Sequence, residues 1–142
     1  VASGAKQQSV LDAGADQALI RGNSLQDALG DNAVDVVIDL VGGQDCPELL
    51  NILRPFGRYA VSGAIAGPIV ELDLRTLYLK DQRFSGCTVL DEGVFIRLVG
   101  LIEQGEVKPL LARSFPLESL SEAQAFFLDK QFTGKLVVDM AL

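Results

Sequence analysis

The sequence contains no histidine and only two cysteines in 142 residues. Without histidine the stretch lacks the commonest general base and a favoured zinc ligand. A self-contained hydrolase or zinc site is therefore not expected within it. Cys46 and Cys87 stand far apart and belong to no paired motif. They read as free thiols in a reducing compartment, so a cytoplasmic location is expected. Positive charge is also scarce: 12 Lys and Arg face 19 Asp and Glu, a net charge of −7. A nucleic-acid partner would need a basic face, and none is expected here. No apolar run approaches the roughly 20 residues of a membrane helix. Val1–Asp16 has no charged start leading into an apolar block, so it does not read as a signal peptide.

What the chain does have is a globular balance, with 49% hydrophobic and 22% charged residues, and no repeat or low-complexity segment. Apolar runs alternate with helical stretches. Val1–Ser3 reads as the end of a strand, and Ala5–Ala13 as a short helix that Gly14 closes in the left-handed conformation. Gln17–Arg21 reads as a short strand. Ser24 caps a brief helix ending at Gly30. The run "VDVVIDLVGG" is nearly unbroken and β-branched, as a strand covered on both faces requires. Pro47 opens the next helix, and Pro55-Phe56-Gly57 stops it. Strands are expected at Arg58–Gly63 and Arg83–Val89, with Asp73–Leu79 helical between them. A longer amphipathic helix carries Val94, Phe95, Leu98, Val99, Leu101 and Ile102 and ends at Gly105. From Glu106 the texture changes: "VKPLLARSFPL" is extended, a helix starts near Ser121, and "GKLVVDM" closes as a strand. This alternation predicts an α/β fold, a parallel sheet with helices on both faces and right-handed crossovers.

In an open parallel sheet, ligands bind outside the carboxyl ends of the strands. Here those ends read "VASG", "DLVGG", "VSGA" and "SGCT", each small enough for close backbone approach. Any one alone is an ordinary turn; four together favour an elongated ligand. No carboxylate precedes Asp12, so nothing at Ser3 or Lys6 would repel a ribose 2′-phosphate. NADP(H) is therefore favoured over NAD(H), the alternative being that Ser3 caps a helix and Lys6 is solvated. Asp39, inside the apolar strand, reads as a structural carboxylate in need of partners. Tyr78, Lys80, Asp81 and Arg83 read as a solvated helix end. Of Phe126 and Phe127, one must face a core.

The ordered set "VLDAGAD", "VDVVIDLVGG", "LRPFGRYAVSGA", "GEVKPLL", "FPLESLSEAQAFF" and "TGKLVV" resembles the C-terminal half of a medium-chain dehydrogenase/reductase. The likeness is to the zinc-type alcohol dehydrogenase-like and quinone oxidoreductase branch. It implies that residues 1–105 are a partial NAD(P)-binding Rossmann domain, without its first strand and glycine-rich turn. Residues 106–142 would return to a GroES-like substrate domain. It implies cofactor contacts at Ser3, Lys6, Val41, Gly42, Gly63, Ala64, Cys87 and Thr88, with Val41 and Gly42 passing the adenosine ribose. Gly63, Ala64, Cys87 and Thr88 would serve the nicotinamide end. The implied activity is hydride transfer to or from a carbonyl, quinone or activated alkene, with a small-molecule substrate and no membrane. No residue here is identified as the catalytic acid, and zinc would enter only through the N-terminal half. The rivals are an enoyl-reductase module of a fatty-acid or polyketide synthase, and a non-catalytic nucleotide-binding or assembly module. A first strand would lie between Val1–Ser3 and "VDVVIDL", so that gap is expected to be closed, filled by other residues or filled by another chain in a homo-oligomer.

Overall fold

The structure is a computed structural model and describes residues 1–140. The chain forms two compact units, one spanning Val1–Leu90 and one from Asp91 onward.

In the first unit, β1 (Val34–Asp39), β2 (Leu53–Val61) and β3 (Arg83–Gly86) form a parallel sheet in the order β1-β2-β3. The register aligns Val37, Tyr59 and Phe84 across it. On that face the Tyr59 and Phe84 rings stack with centroids 4.4 Å apart. Helix α3 (Cys46–Ile52), with Pro47 in its first turn, brings Cys46 and Leu50 onto Val37, Leu53 and Tyr59 to make the core. Pro at this position gives up only an N–H that has no partner inside the helix. The chain leaves α3 directly into β2, several residues before the expected stop. A register shift between Val34 and Val36 marks where the pairing with β2 restarts beyond Phe56.

The opposite face carries Val36 and Ile38, which are 40% and 69% exposed. β1 was expected to be covered on both faces; it is covered on one. Its outer edge has no partner strand among the described residues. Ala2 does not move across to close that edge. It makes a parallel bridge to Ile20, donating to Leu19 O at 2.8 Å and accepting from Arg21 N at 2.8 Å. Among the described residues, Gln17–Arg21 thus pairs through a single bridge, at Ala2, and is not a strand. An apolar cleft of about 240 Å3, lined by Val1, Leu19, Leu25, Leu29, Val34 and Val36, runs along the open edge.

The helices α1 (Gln7–Asp12) and α2 (Leu25–Leu29) end as their sequences predict. Gly14, at φ +101°, donates to Leu11 O, and the Ser24 hydroxyl accepts from Asp27 N. α4 (Leu74–Leu79) is capped by Asp73, which accepts from Arg75 N.

The second unit holds α5 (Val94–Glu103), the parallel pair β4 (Leu111–Pro116) and β5 (Lys135–Asp139), and α6 (Leu120–Asp129). Phe115 and Ala123 are buried, and Phe126 stands 5.9 Å from Phe115 and 5.3 Å from Phe132, ring to ring. Phe127 is half exposed beneath the Lys130 ammonium, so one of the two adjacent phenylalanines faces inward, as expected. The apolar face of α5 is exposed, with Phe95 at 68% and Ile96 at 74%.

Candidate functional site

β1 ends on Asp39, which is buried at 6% exposure. One of its carboxylate oxygens accepts from Val41 N at 2.8 Å and Gly42 N at 2.9 Å; the other accepts from the Tyr59 hydroxyl on β2. Burial pushes this carboxyl up, and the Tyr59, Gly42 and Val41 donors outweigh it, leaving Asp39 below the ordinary carboxylate range. The partners expected for a buried carboxylate at Asp39 are present.

The turn that Asp39 holds lies against the loop after β2. Gly42 and Gly67 form a parallel bridge, Gly43 N donates to Gly67 O at 3.1 Å, and Ala66 N donates to Val41 O at 2.9 Å. Gly42 sits at φ +63°, where a Cβ would be strained and would stand 3.0 Å from Gly67 O. A Cβ on Gly63 would collide with the Leu40 carbonyl. The small residues at these strand ends therefore already have a structural reason to be small.

Two clefts open at these ends. One of about 570 Å3 is lined by Gly63, Ala64, Cys87 and Thr88 together with Val61 and Gly86. The other, about 240 Å3, is lined by Val41, Gly42, Asp39, Asp45, Val1 and Arg21 among others. Both lie at the carboxyl ends of parallel strands, where the fold leaves room for a ligand. Ser3 and Lys6 line neither cleft. Ser3 is exposed and its side chain caps no helix, so the capping alternative does not describe it; Lys6 is half-buried.

Arg21 was not singled out by sequence. Nothing in "QALIR" marks it; only the bridge to Ala2 places it beside the strand end that carries Ser3. Lys80 was read as part of a solvated helix end. Instead its ammonium donates to Asn51 O at 2.8 Å and Leu53 O at 3.2 Å, and the buried Gln82 amide donates to Leu50 O and Leu53 O at 2.9 Å each. Together they satisfy carbonyls at the end of α3 that have no intrahelical partner.

Among the described residues no group of three or more His, Cys, Asp or Glu is placed to hold a metal ion. These residues do not fit a zinc ion. No helix among them is long and apolar enough to cross a membrane.

A protein family described as zinc-binding dehydrogenase matches residues 8–138. A zinc-type alcohol dehydrogenase-like protein from Leptosphaeria maculans is 30% identical over 112 residues, covering 75% of this chain and 31% of its own length. A quinone oxidoreductase from Mus musculus is 30% identical over 115 residues, covering 76% of this chain and 34% of its own. A crystal structure from Sinorhizobium meliloti 1021, assigned as an alcohol dehydrogenase, is 44% identical with a TM-score of 0.83, over 97% of this chain and 40% of that one. Two more distant structures share the fold. An NAD-dependent alcohol dehydrogenase is 21% identical (TM-score 0.81, 99% of this chain and 43% of that one). A crotonyl-CoA carboxylase/reductase in complex with NADP is 20% identical (TM-score 0.82, 97% and 42%). The fold is thus Rossmann-like, and the chain spans about a third of the length of the curated relatives it matches.

Proposed function

This chain belongs to the zinc-binding dehydrogenase family, and we propose that it is the C-terminal, cofactor-binding part of an NADP(H)-dependent oxidoreductase. Its reaction is hydride transfer to or from a carbonyl, quinone or activated alkene. The bound nicotinamide supplies the hydride chemistry, and the protein supplies orientation and exclusion of competing reactions. Residues 1–105 belong to the cofactor domain, and residues 106–142 return to a substrate domain. The observation that supports this reading best is the pair of clefts at the strand ends. Val41 and Gly42 open on one, and Gly63, Ala64, Cys87 and Thr88 open on the other.

Within that reading each group has a task. The Gly63–Ala64 and Cys87–Thr88 ends present backbone to the nicotinamide, while Val41 and Gly42 pass the adenosine ribose. Ser3 and Lys6 take the 2′-phosphate, and the Arg21 guanidinium adds positive charge at the cleft that Val41 and Gly42 line. The protein at its full natural length is titrated with NADPH and NADH, following the change in nicotinamide fluorescence. NADPH is expected to bind tighter. Replacing Lys6 or Arg21 by Ala is expected to weaken NADPH about tenfold and leave NADH nearly unchanged, since each removes one charge-assisted contact to phosphate. Equal affinity for both cofactors, unmoved by either substitution, overturns the NADP(H) assignment. Failure to bind either cofactor overturns the oxidoreductase reading.

A further inference from the structure

The buried group that the hydride chemistry does not use is the Asp39–Tyr59 pair. A strand-end carboxylate that served stability alone would need only to satisfy itself. Asp39 does more: among the described residues, the three donors to its carboxylate all belong to elements that shape the clefts. Val41 and Gly42 are the turn itself, and Tyr59 sits on β2, whose continuation is the 62–67 loop. Ser62 N in turn donates to Asp39 O at 2.8 Å. The turn then bridges Gly67 through Gly42 and Gly43. One residue, through its carboxylate and its main-chain carbonyl, is thereby connected to the floor of one cleft and to the loop that lines the other. Tyr59 is 1% exposed and stacked on Phe84, which holds its ring with the hydroxyl beside the Asp39 carboxylate.

We propose that Asp39, held by the Tyr59 hydroxyl, is a positioning residue that sets the 41–43 turn, and through it the 62–67 loop, for the adenosine side of the dinucleotide. This rests on the cofactor reading above. A charged acceptor holds two backbone N–H groups more firmly than a neutral one. Asp39→Asn keeps the shape and an accepting oxygen but loses the charge. It is expected to raise the cofactor KM about tenfold while kcat at saturating cofactor falls less than twofold. Amide exchange at Val41 and Gly42 rises with it, because those N–H groups lose their ionised acceptor. Tyr59→Phe, which leaves one carboxylate oxygen without its donor, shifts KM in the same direction by a smaller factor and serves if Asp39→Asn does not fold. Asp39→Glu, which keeps the charge, recovers part of the loss.

The outcomes separate. If the wild type binds dinucleotide and neither variant alters KM, the positioning role is overturned while the cofactor reading stands. If kcat falls in step with the melting temperature at constant KM, Asp39 is structural only and the proposal is likewise overturned. A wild type that binds no dinucleotide overturns the cofactor reading, and this inference with it. A KM rise with protected Val41 and Gly42 amides would overturn the proposed route through the turn.

Discussion

At Glu48, on α3, one carboxylate oxygen accepts from the Ser24 hydroxyl at 2.6 Å and from Gln26 N at 2.9 Å, so a single side chain completes the cap of α2. The Gln26 N–H, with the Ser24 hydroxyl second, holds this carboxyl below its ordinary range, as the donors around Asp39 hold theirs. A carboxyl lowered in the folded state contributes stability that is present above the unfolded value of about 4 and lost as pH falls through the folded one. Glu48→Gln is therefore expected to cost about 1 kcal/mol at neutral pH and to flatten the acid limb of a denaturation series. A variant as acid-sensitive as the wild type would refute that assignment. Tyr59 titrates with the opposite sign. Burial first, and the Asp39 carboxylate second, raise its phenol far above the usual value. Stability is expected to decline as pH climbs past the unfolded value of about 10. Following tyrosinate absorbance alongside unfolding checks it: the Tyr59 signal should appear only with loss of structure.

Among the elements, those whose ends are set by neighbouring residues were legible in the sequence. Ser24 and Gly30 bound α2, and Gly105, at φ +76°, follows α5, because capping chemistry is local. The Gln17–Arg21 segment misled because pairing depends on a partner that its own residues do not specify. Lys80 was misread, and Gln82 not singled out, for the same reason: the carbonyls they satisfy lie about 30 residues earlier, and no local pattern reports that distance. Of the candidate site, the Gly-rich strand ends were visible, but Arg21 and the clasp between Gly42 and Gly67 were not. Both arise from contacts between loops. The α3 terminus gives a test. Gln82→Leu removes two donors from buried carbonyls and is expected to destabilise the chain by about 1–3 kcal/mol. Gln82 Oε1 has no partner among the described residues, which pulls the expected cost toward the lower end. A Gln82→Leu chain with an unchanged unfolding midpoint would show that Lys80 alone suffices.

For the molecule as a whole, the decisive feature is the open side of β1. The edge next to Val36 and Ile38, which pairs with no strand among the described residues, forms a template for another strand. The 142-residue chain on its own is expected to self-associate, with an apparent mass in light scattering that rises with concentration. Ile38→Lys places a charge on that exposed face and is expected to reduce the association without lowering the helix content. A chain that stays monomeric at high concentration would mean that the edge is protected in solution.

The bridge between Gly42 and Gly67 also bears on heredity. Because a side chain at residue 42 would press on the Gly67 carbonyl and on Ala64, the two turns do not drift separately. Selection acting on descendants of this chain should find tolerated changes at residue 42 paired with changes among residues 64–67, so that a randomised library records a physical contact as a correlation between letters.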